Sequence, residues 1–295
     1  MKKLITSIGA LLFMAQAAHA TTLDVMVVYP ISYSAKYSNI GAKIAAEVAL
    51  ANTAFSNSQM STRIRLVHHG VANVANDQEA SSTLLNSLSS STHTSTTATI
   101  MSLRNSHKPH LTVYATNHRP RSANDNGLCG IAHFPPGTSY RGYRQDREAA
   151  FKGTNISSLD SVCTMTMAHE IGHNLGAGHG PKQGSRGDGR PHKYSRGHGI
   201  DYSFSTVMGY PSEYSASRVA YFSNPNVRNC KGQACGTSKN NAARYIDQFV
   251  EDWAYRYQAC YPTTNKRVGK APRNIHACGN NVCIGTFRGR CNKWL

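Results

Sequence analysis

The eleven residues His169-Glu170-Ile171-Gly172-His173-Asn174-Leu175-Gly176-Ala177-Gly178-His179 carry three imidazoles and one carboxylate at set spacings. On a helix, side chains four apart share a face, so His169 and His173 can offer two nitrogens to one metal ion. Gly176 takes a positive φ at little cost, which ends the helix and turns the chain so that His179 arrives as a third ligand. Three neutral histidines leave a coordination position open for water, the catalytic rather than the structural form of a zinc site. Glu170 stands beside the first ligand, placed to take a proton from a water whose pKa zinc lowers to about 7. A bare His-Glu-x-x-His pair arises by chance, but five fixed positions favour the metal reading.

These side chains need a helix beneath them and a sheet to hold it. Helical periodicity predicts one helix over 39–57, through Ile40, Ile44, Val48, Ala51 and Phe55. The motif helix is expected over 161–175. A C-terminal helix is expected over 239–257, with Ile246, Phe249, Val250, Trp253 and Tyr257 on one face and Ser238 as its N-cap. Strands are expected at Leu23 to Tyr29, Ile64 to Val74, Leu111 to Ala115, Gly127 to Phe134 and Gly153 to Ser158. Residues 81–99 contain thirteen Ser/Thr, the composition of a poor helix or a solvated loop. A loop rich in Gly, Pro and base runs from Gly180 to Gly199.

The motif resembles the signature of the metzincin metalloproteases, which continues into a methionine turn, here Thr206-Val207-Met208-Gly209-Tyr210. Arg218-Val219-Ala220-Tyr221-Phe222-Ser223-Asn224-Pro225 and Gly127-Leu128-Cys129-Gly130-Ile131-Ala132 are similar to bacterial secreted reprolysin-like peptidases, including the peptidyl-Asp metallopeptidase group. The resemblance covers roughly Leu23 to Tyr257. It implies an α+β fold, a mixed sheet plus helices with a smaller lower subdomain after His179, and Zn2+ on His169, His173 and His179. It implies Glu170 as catalytic base and Met208 as the apolar floor of the metal site. Tyr210 either approaches the metal or oxyanion, or packs as an ordinary ring. Residues 127–134 would form the edge strand beside the cleft, where Gly130 and Ile131 meet a peptide through their main chain. Eukaryotic reprolysins usually carry Asp after the third histidine; this chain has Gly180.

The chain of 295 residues has 32 Lys+Arg against 15 Asp+Glu, a formal charge of +17. Such an excess points to an anionic partner, and nucleic acid is the first candidate by charge alone. The metalloprotease motif, together with the uneven placement of the base, demotes nucleic acid. Lys182, Arg186, Arg190, Lys193 and Arg196 cluster between the third ligand and the Met-turn, with Asp188 the only acid there; Arg218 follows the turn. We expect Arg190, Arg196 or Arg218 to bind an acidic substrate side chain, since a guanidinium pairs a carboxylate at two points. The last 36 residues hold seven Lys/Arg, four Cys and no acid, which suits either retention on a polyanion such as a glycan or simply the solubility of a small Cys-rich module.

Lys2 and Lys3, an apolar run to Ala18 and Ala18-His19-Ala20 read as a signal peptide, and no later stretch is apolar enough to span a membrane. Eight cysteines, all beyond Ala20, fit an oxidising compartment. Cys129 is expected to bond Cys163 and Cys230 to bond Cys235; Cys260, Cys278, Cys283 and Cys291 allow three pairings. The domain expectation is therefore a signal peptide at 1–20, a catalytic domain at 21–258 and a basic disulfide-rich module at 259–295. The functional expectation is a secreted zinc metalloendopeptidase acting on proteins or peptides, with an acidic preference. The alternative is an exported anion- or glycan-binding protein with a vestigial metal site.

Overall fold

The computed structural model describes residues 20–74, 79–89, 97–119, 127–135, 153–184 and 192–258, and three strands at 276–278, 281–287 and 290–294. The expected signal peptide, Arg186, Arg190 and the side chains of the tail cysteines lie outside the described residues.

A five-stranded sheet has the order β2-β1-β3-β5-β4. Its strands are β1 (Thr22–Tyr29), β2 (Arg63–Val71), β3 (Leu111–Thr116), β4 (Gly130–Ala132) and β5 (Thr154–Ser158). The first four in that order pair in parallel, and β4 runs antiparallel to β5 at the edge. Helices cover both faces, so β1 reads as one apolar run: Leu23, Val25 and Val27 enter one core, Met26 and Val28 the other.

On the first face lie α1 (Ile31–Ser34), α2 (Ile40–Asn57), the motif helix and the C-terminal helix. Asn39 caps α2 by accepting from Ala42 N. On the second face lie α3 (Ser82–Leu88) and α4 (Ala98–His107). The Ser/Thr-rich stretch thus contains one complete helix and starts another. Leu84, Leu85, Leu88 and Ile100 bury their side chains, and that burial outweighs weak local propensity. Arg104 of α4 is fully enclosed; its guanidinium donates to Thr112 Oγ1, Leu88 O and Thr154 Oγ1.

The motif helix α5 (Thr166–Asn174) is shorter than its expected span, since a 3-10 turn (Ser161–Cys163) and Met165 at φ 60° precede it. The bond Cys129–Cys163 joins the start of β4 to that turn, and Cys230–Cys235 closes a short loop, as expected. Below α5, β6 (Gly199–Ile200), β7 (Phe204–Ser205) and β8 (Ser217–Arg218) make a small sheet, with α6 (Pro211–Tyr214) between the last two. The final helix α7 (Ala242–Gln258) is capped by Asn241, which accepts from Arg244 N, and not by Ser238. Further on, β9 (His276–Cys278), β10 (Asn281–Phe287) and β11 (Arg290–Trp294) form an antiparallel sheet. No helix among the described residues is long and apolar enough to cross a membrane.

Candidate metal centre and cleft

All of α5 is buried, including His169, Glu170 and His173. Gly176 sits at φ 90°, and the helix closes with Ala177 N donating to Gly172 O and Gly176 N to His173 O. This pair of bonds is the Schellman stop that a positive-φ glycine permits. The chain reverses there and returns His179 to the helix.

The three imidazoles converge through one atom each. His169 Nε2 lies 3.2 Å and His173 Nε2 2.8 Å from His179 Nε2. His169 Nδ1 donates to Val207 O and His173 Nδ1 to Ala177 O, both at 2.7 Å. A carbonyl can only accept, so each proton resides on Nδ1 and each Nε2 presents a lone pair. Burial, then the neighbouring histidines, holds His169 well below its usual range; burial and His179 push His173 down to about 3. Neutral nitrogens aimed at one point repel one another unless a cation sits among them. An all-imidazole donor set with two of its Nδ1 positions tied to carbonyls fits a divalent transition ion. The group His118, Cys129 and Cys163 offers no second site of this kind, because its two cysteines are disulfide-bonded.

Around this centre the remaining expected residues fall into place unevenly. Met208 is buried beneath α5, and a β-carbon on Gly172 would collide with its Sδ. The Tyr210 ring centre lies 4.7 Å from that of His179 and 5.7 Å from that of His169. Burial, reinforced by the Glu170 charge, raises its phenol, so the O–H stays a donor. Burial pushes the Glu170 carboxyl up to about 8, partly offset by Arg218. Glu170 Oε2 has no hydrogen-bond partner.

Arg218 lies in the adjoining wall. Its Nη1 donates to Thr164 O at 2.9 Å and its Nη2 to Gly209 O at 3.3 Å, while the buried Nε has no partner. Arg196 is half-buried with Nε on His179 O at 3.4 Å. The other loop cations do not all face the cleft: Lys182 pairs with Asp201 and donates to Glu213 O. Gly180 packs against Tyr214; a β-carbon there would lie 2.7 Å from its hydroxyl.

The edge strand differs from expectation in one respect. Ser158 N donates to Cys129 O and His133 N to Thr154 O, so residues 129, 131 and 133 face β5. By alternation, the outward main-chain groups belong to Gly130 and Ala132, and Ile131 packs its side chain into the second core. Two supporting residues carry no sequence signal of their own. Asn174 Nδ2 donates to His133 O and Thr154 O, and its Oδ1 accepts from Asn155 Nδ2, locking α5 to β5 and β4. Asn155 is therefore buried and engaged.

Sheet, motif helix and histidine cluster together define a metallopeptidase-type domain. The chain belongs to Metallo-peptidase family M12B, reprolysin-like, whose sequence model matches residues 20–241. It is similar to a peptidyl-Asp metalloendopeptidase of Pseudomonas aeruginosa, 31% identical over 268 residues that cover 85% of this chain and 43% of the relative. A chain of the "Structure of a chaperone-substrate complex" shares the fold, with TM-score 0.59 and 19% identity, over 81% of this chain and 36% of that one. Metalloproteinase-II from Bacteroides fragilis aligns with TM-score 0.35 and 19% identity, over 56% of this chain and 45% of that one. The chain thus spans less than half the length of each of these proteins.

Proposed function

We propose that this chain is an exported zinc endopeptidase that cleaves polypeptides next to an acidic residue. The convergence of three Nε2 atoms, two of them left unprotonated by their Nδ1 hydrogen bonds, beside the buried Glu170 whose Oε2 has no hydrogen-bond partner carries the reading. His169, His173 and His179 would hold Zn2+ in a three-histidine set that leaves a position for water. When bound, the metal supplies Lewis-acid polarisation of the scissile carbonyl and lowers the pKa of the attacking water.

The protein's own residues do the rest. Gly130 and Ala132 take the extended substrate by main-chain hydrogen bonds along the open edge of β4. With a cation held by the histidines the Glu170 carboxyl would ionise more readily; Glu170 takes the proton from water and later returns it to the leaving amine. Tyr210 keeps its phenolic proton and donates it toward the developing oxyanion. Arg218, anchored through two amino groups with Nε unpartnered, presents its remaining N–H groups to a substrate carboxylate. The relative named a peptidyl-Asp metalloendopeptidase supports that preference. The two described disulfides support an oxidising destination.

Hydrolysis of casein and of Asp-containing peptides, abolished by a chelator and restored by zinc, tests the assignment. Glu170→Gln is expected to keep stoichiometric zinc yet lose peptide hydrolysis by at least about a hundredfold. Full activity in that variant overturns the role of Glu170.

A further inference from the structure

Leu128 is 43% exposed and Val162 72%, and the two flank the ends of one disulfide, Cys129–Cys163. The other large apolar side chains exposed among the described residues, Ile31, Val71 and Tyr202, flank no such bridge. Single exposed apolar residues are ordinary, but two brought to one place by a covalent strap mark a contact surface. The bridged Cα atoms are 5.4 Å apart, so those of Leu128 and Val162, one peptide step away on each side, lie within about 13 Å of each other.

The backbone beneath both residues is held. Cys163 N donates to Asp160 O at 2.8 Å and Thr164 Oγ1 to Ser161 O at 3.1 Å, which closes the 3-10 turn that carries Val162. The Asp160 carboxylate is itself fixed by Lys36 and Tyr37. On the other side of the bridge, Ser158 N donates to Cys129 O at 2.7 Å. The two apolar side chains are therefore presented to solvent from set positions.

Position ties the pair to the cleft. Leu128 stands two residues before Gly130, which abuts Glu170. Val162 stands two residues before Thr164, whose carbonyl accepts from Arg218 Nη1. The pair thus lies between the edge strand beside the base and the wall that anchors the guanidinium. A peptide added antiparallel to β4, the more stable pairing per residue, runs from Ala132 past Gly130 toward Leu128. Its residues on the carboxyl side of the scissile bond then reach Leu128 and Val162. We propose that these two residues form an apolar subsite, which takes a large aliphatic side chain of the substrate on the carboxyl side of the scissile bond, at a position other than the one that meets Arg218. The proposal rests on the peptidase reading above, and makes the preferred substrate a segment that carries an acidic and an aliphatic residue close together.

The test uses a peptide series with one fixed Asp, in which Leu and Ser are compared at each flanking position in turn and mass spectrometry identifies the cleaved bond. For wild type, one position on the carboxyl side of that bond is expected to favour Leu over Ser in kcat/KM by about five- to tenfold, from the apolar area taken out of water. The advantage is expected to persist at high salt, which screens charges and not apolar contacts. In Leu128→Ser/Val162→Ser the ratio is expected to fall to about one, while Leu128→Met/Val162→Ile preserves it. Val162→Lys alone, at the more exposed of the two positions, is expected to turn the preference there from Leu to Glu. Circular dichroism melts check that the variants fold. Cleavage without an aliphatic preference on the carboxyl side, or a preference that survives both the serine and the lysine variants, overturns the subsite. So does self-association of wild type that the serine variant abolishes without changing peptide preference. Absence of cleavage across the whole series instead overturns the peptidase reading.

Discussion

Gly130 and Glu170 lie against each other: a β-carbon on residue 130 would stand 2.7 Å from both Cγ and Oε1 of the carboxylate side chain. The same carbon would stand 2.7 Å from Ile156 O, so the strand has nowhere to retreat. The edge strand therefore sets the position of the base. Gly130→Ala is expected to displace Glu170 and lower kcat by at least about tenfold, because small misplacements of a reacting group are costly. Zinc content, read by atomic absorption, is expected to stay at one ion per chain, since no histidine is touched. Unchanged kcat would show that Glu170 owes its position to other contacts.

The metal centre was legible because its information is local. Helical spacing places His169 and His173 together, and one glycine accounts for the return of His179. Cys230–Cys235, five residues apart, was legible for a similar reason, whereas Cys129–Cys163 spans 34 residues and was expected only because the two are neighbours in the order of cysteines; the place of Met208 came from the family resemblance. What escaped depends on non-local register. That Gly130 and Ala132, and not Ile131, face outward follows from how β4 pairs with β5, which no single strand reveals. Helices α3 and α4 escaped because burial of Leu84, Leu88 and Ile100, and the enclosed hydrogen bonds of Arg104, overrode Ser/Thr-rich propensity.

Gly172 marks a second close approach. A β-carbon there would collide with Met208 Sδ and stand 3.0 Å from Phe222 Cε1, and all three residues lie in the buried layer under the imidazoles. Gly172→Ala is expected to destabilise the fold by about 1–3 kcal/mol through overpacking. For a domain of this size that lowers Tm by several degrees. Met208→Leu, which keeps the volume without the sulfur, is expected to cost less than about 1.5 kcal/mol. Urea unfolding monitored by tryptophan fluorescence checks both; equal effects would mean that the methionine is needed for more than its volume.

Cys129–Cys163 spans 34 residues of sequence and fastens the start of the edge strand to the turn that enters α5. Chain-entropy arguments give such a loop about 4 kcal/mol of stabilisation. Cys129→Ser/Cys163→Ser is expected to lower stability by about 2–5 kcal/mol and to raise KM more than it lowers kcat. The reason is that the strap aligns the peptide-binding edge while the histidines depend on α5 and the Met-turn. Denaturant midpoints and steady-state kinetics at a temperature where both proteins remain folded separate the two effects. A fall in kcat with KM unchanged would place the strap's influence on the base instead.

Asp160 gives an acid-limb prediction away from the metal. Burial acts to raise its carboxyl, but Lys36 Nζ and Tyr37 Oη, each at 2.7 Å, and His118 N at 3.0 Å donate to it and hold it below its ordinary 3.8. With the folded value depressed, the unfolded chain binds more protons as pH drops toward and below 3.8. The stabilisation is therefore complete above the unfolded value and is lost as pH falls through the folded one. Asp160→Asn is expected to be less stable than wild type near neutral pH and to show a shallower decline on acidification. The two stability curves should converge below the folded value, where the native carboxyl is also protonated. Urea midpoints measured from pH 7 down to pH 3 check this. Parallel curves across that range would show that the Lys36, Tyr37 and His118 contacts do not discriminate between the two protonation states.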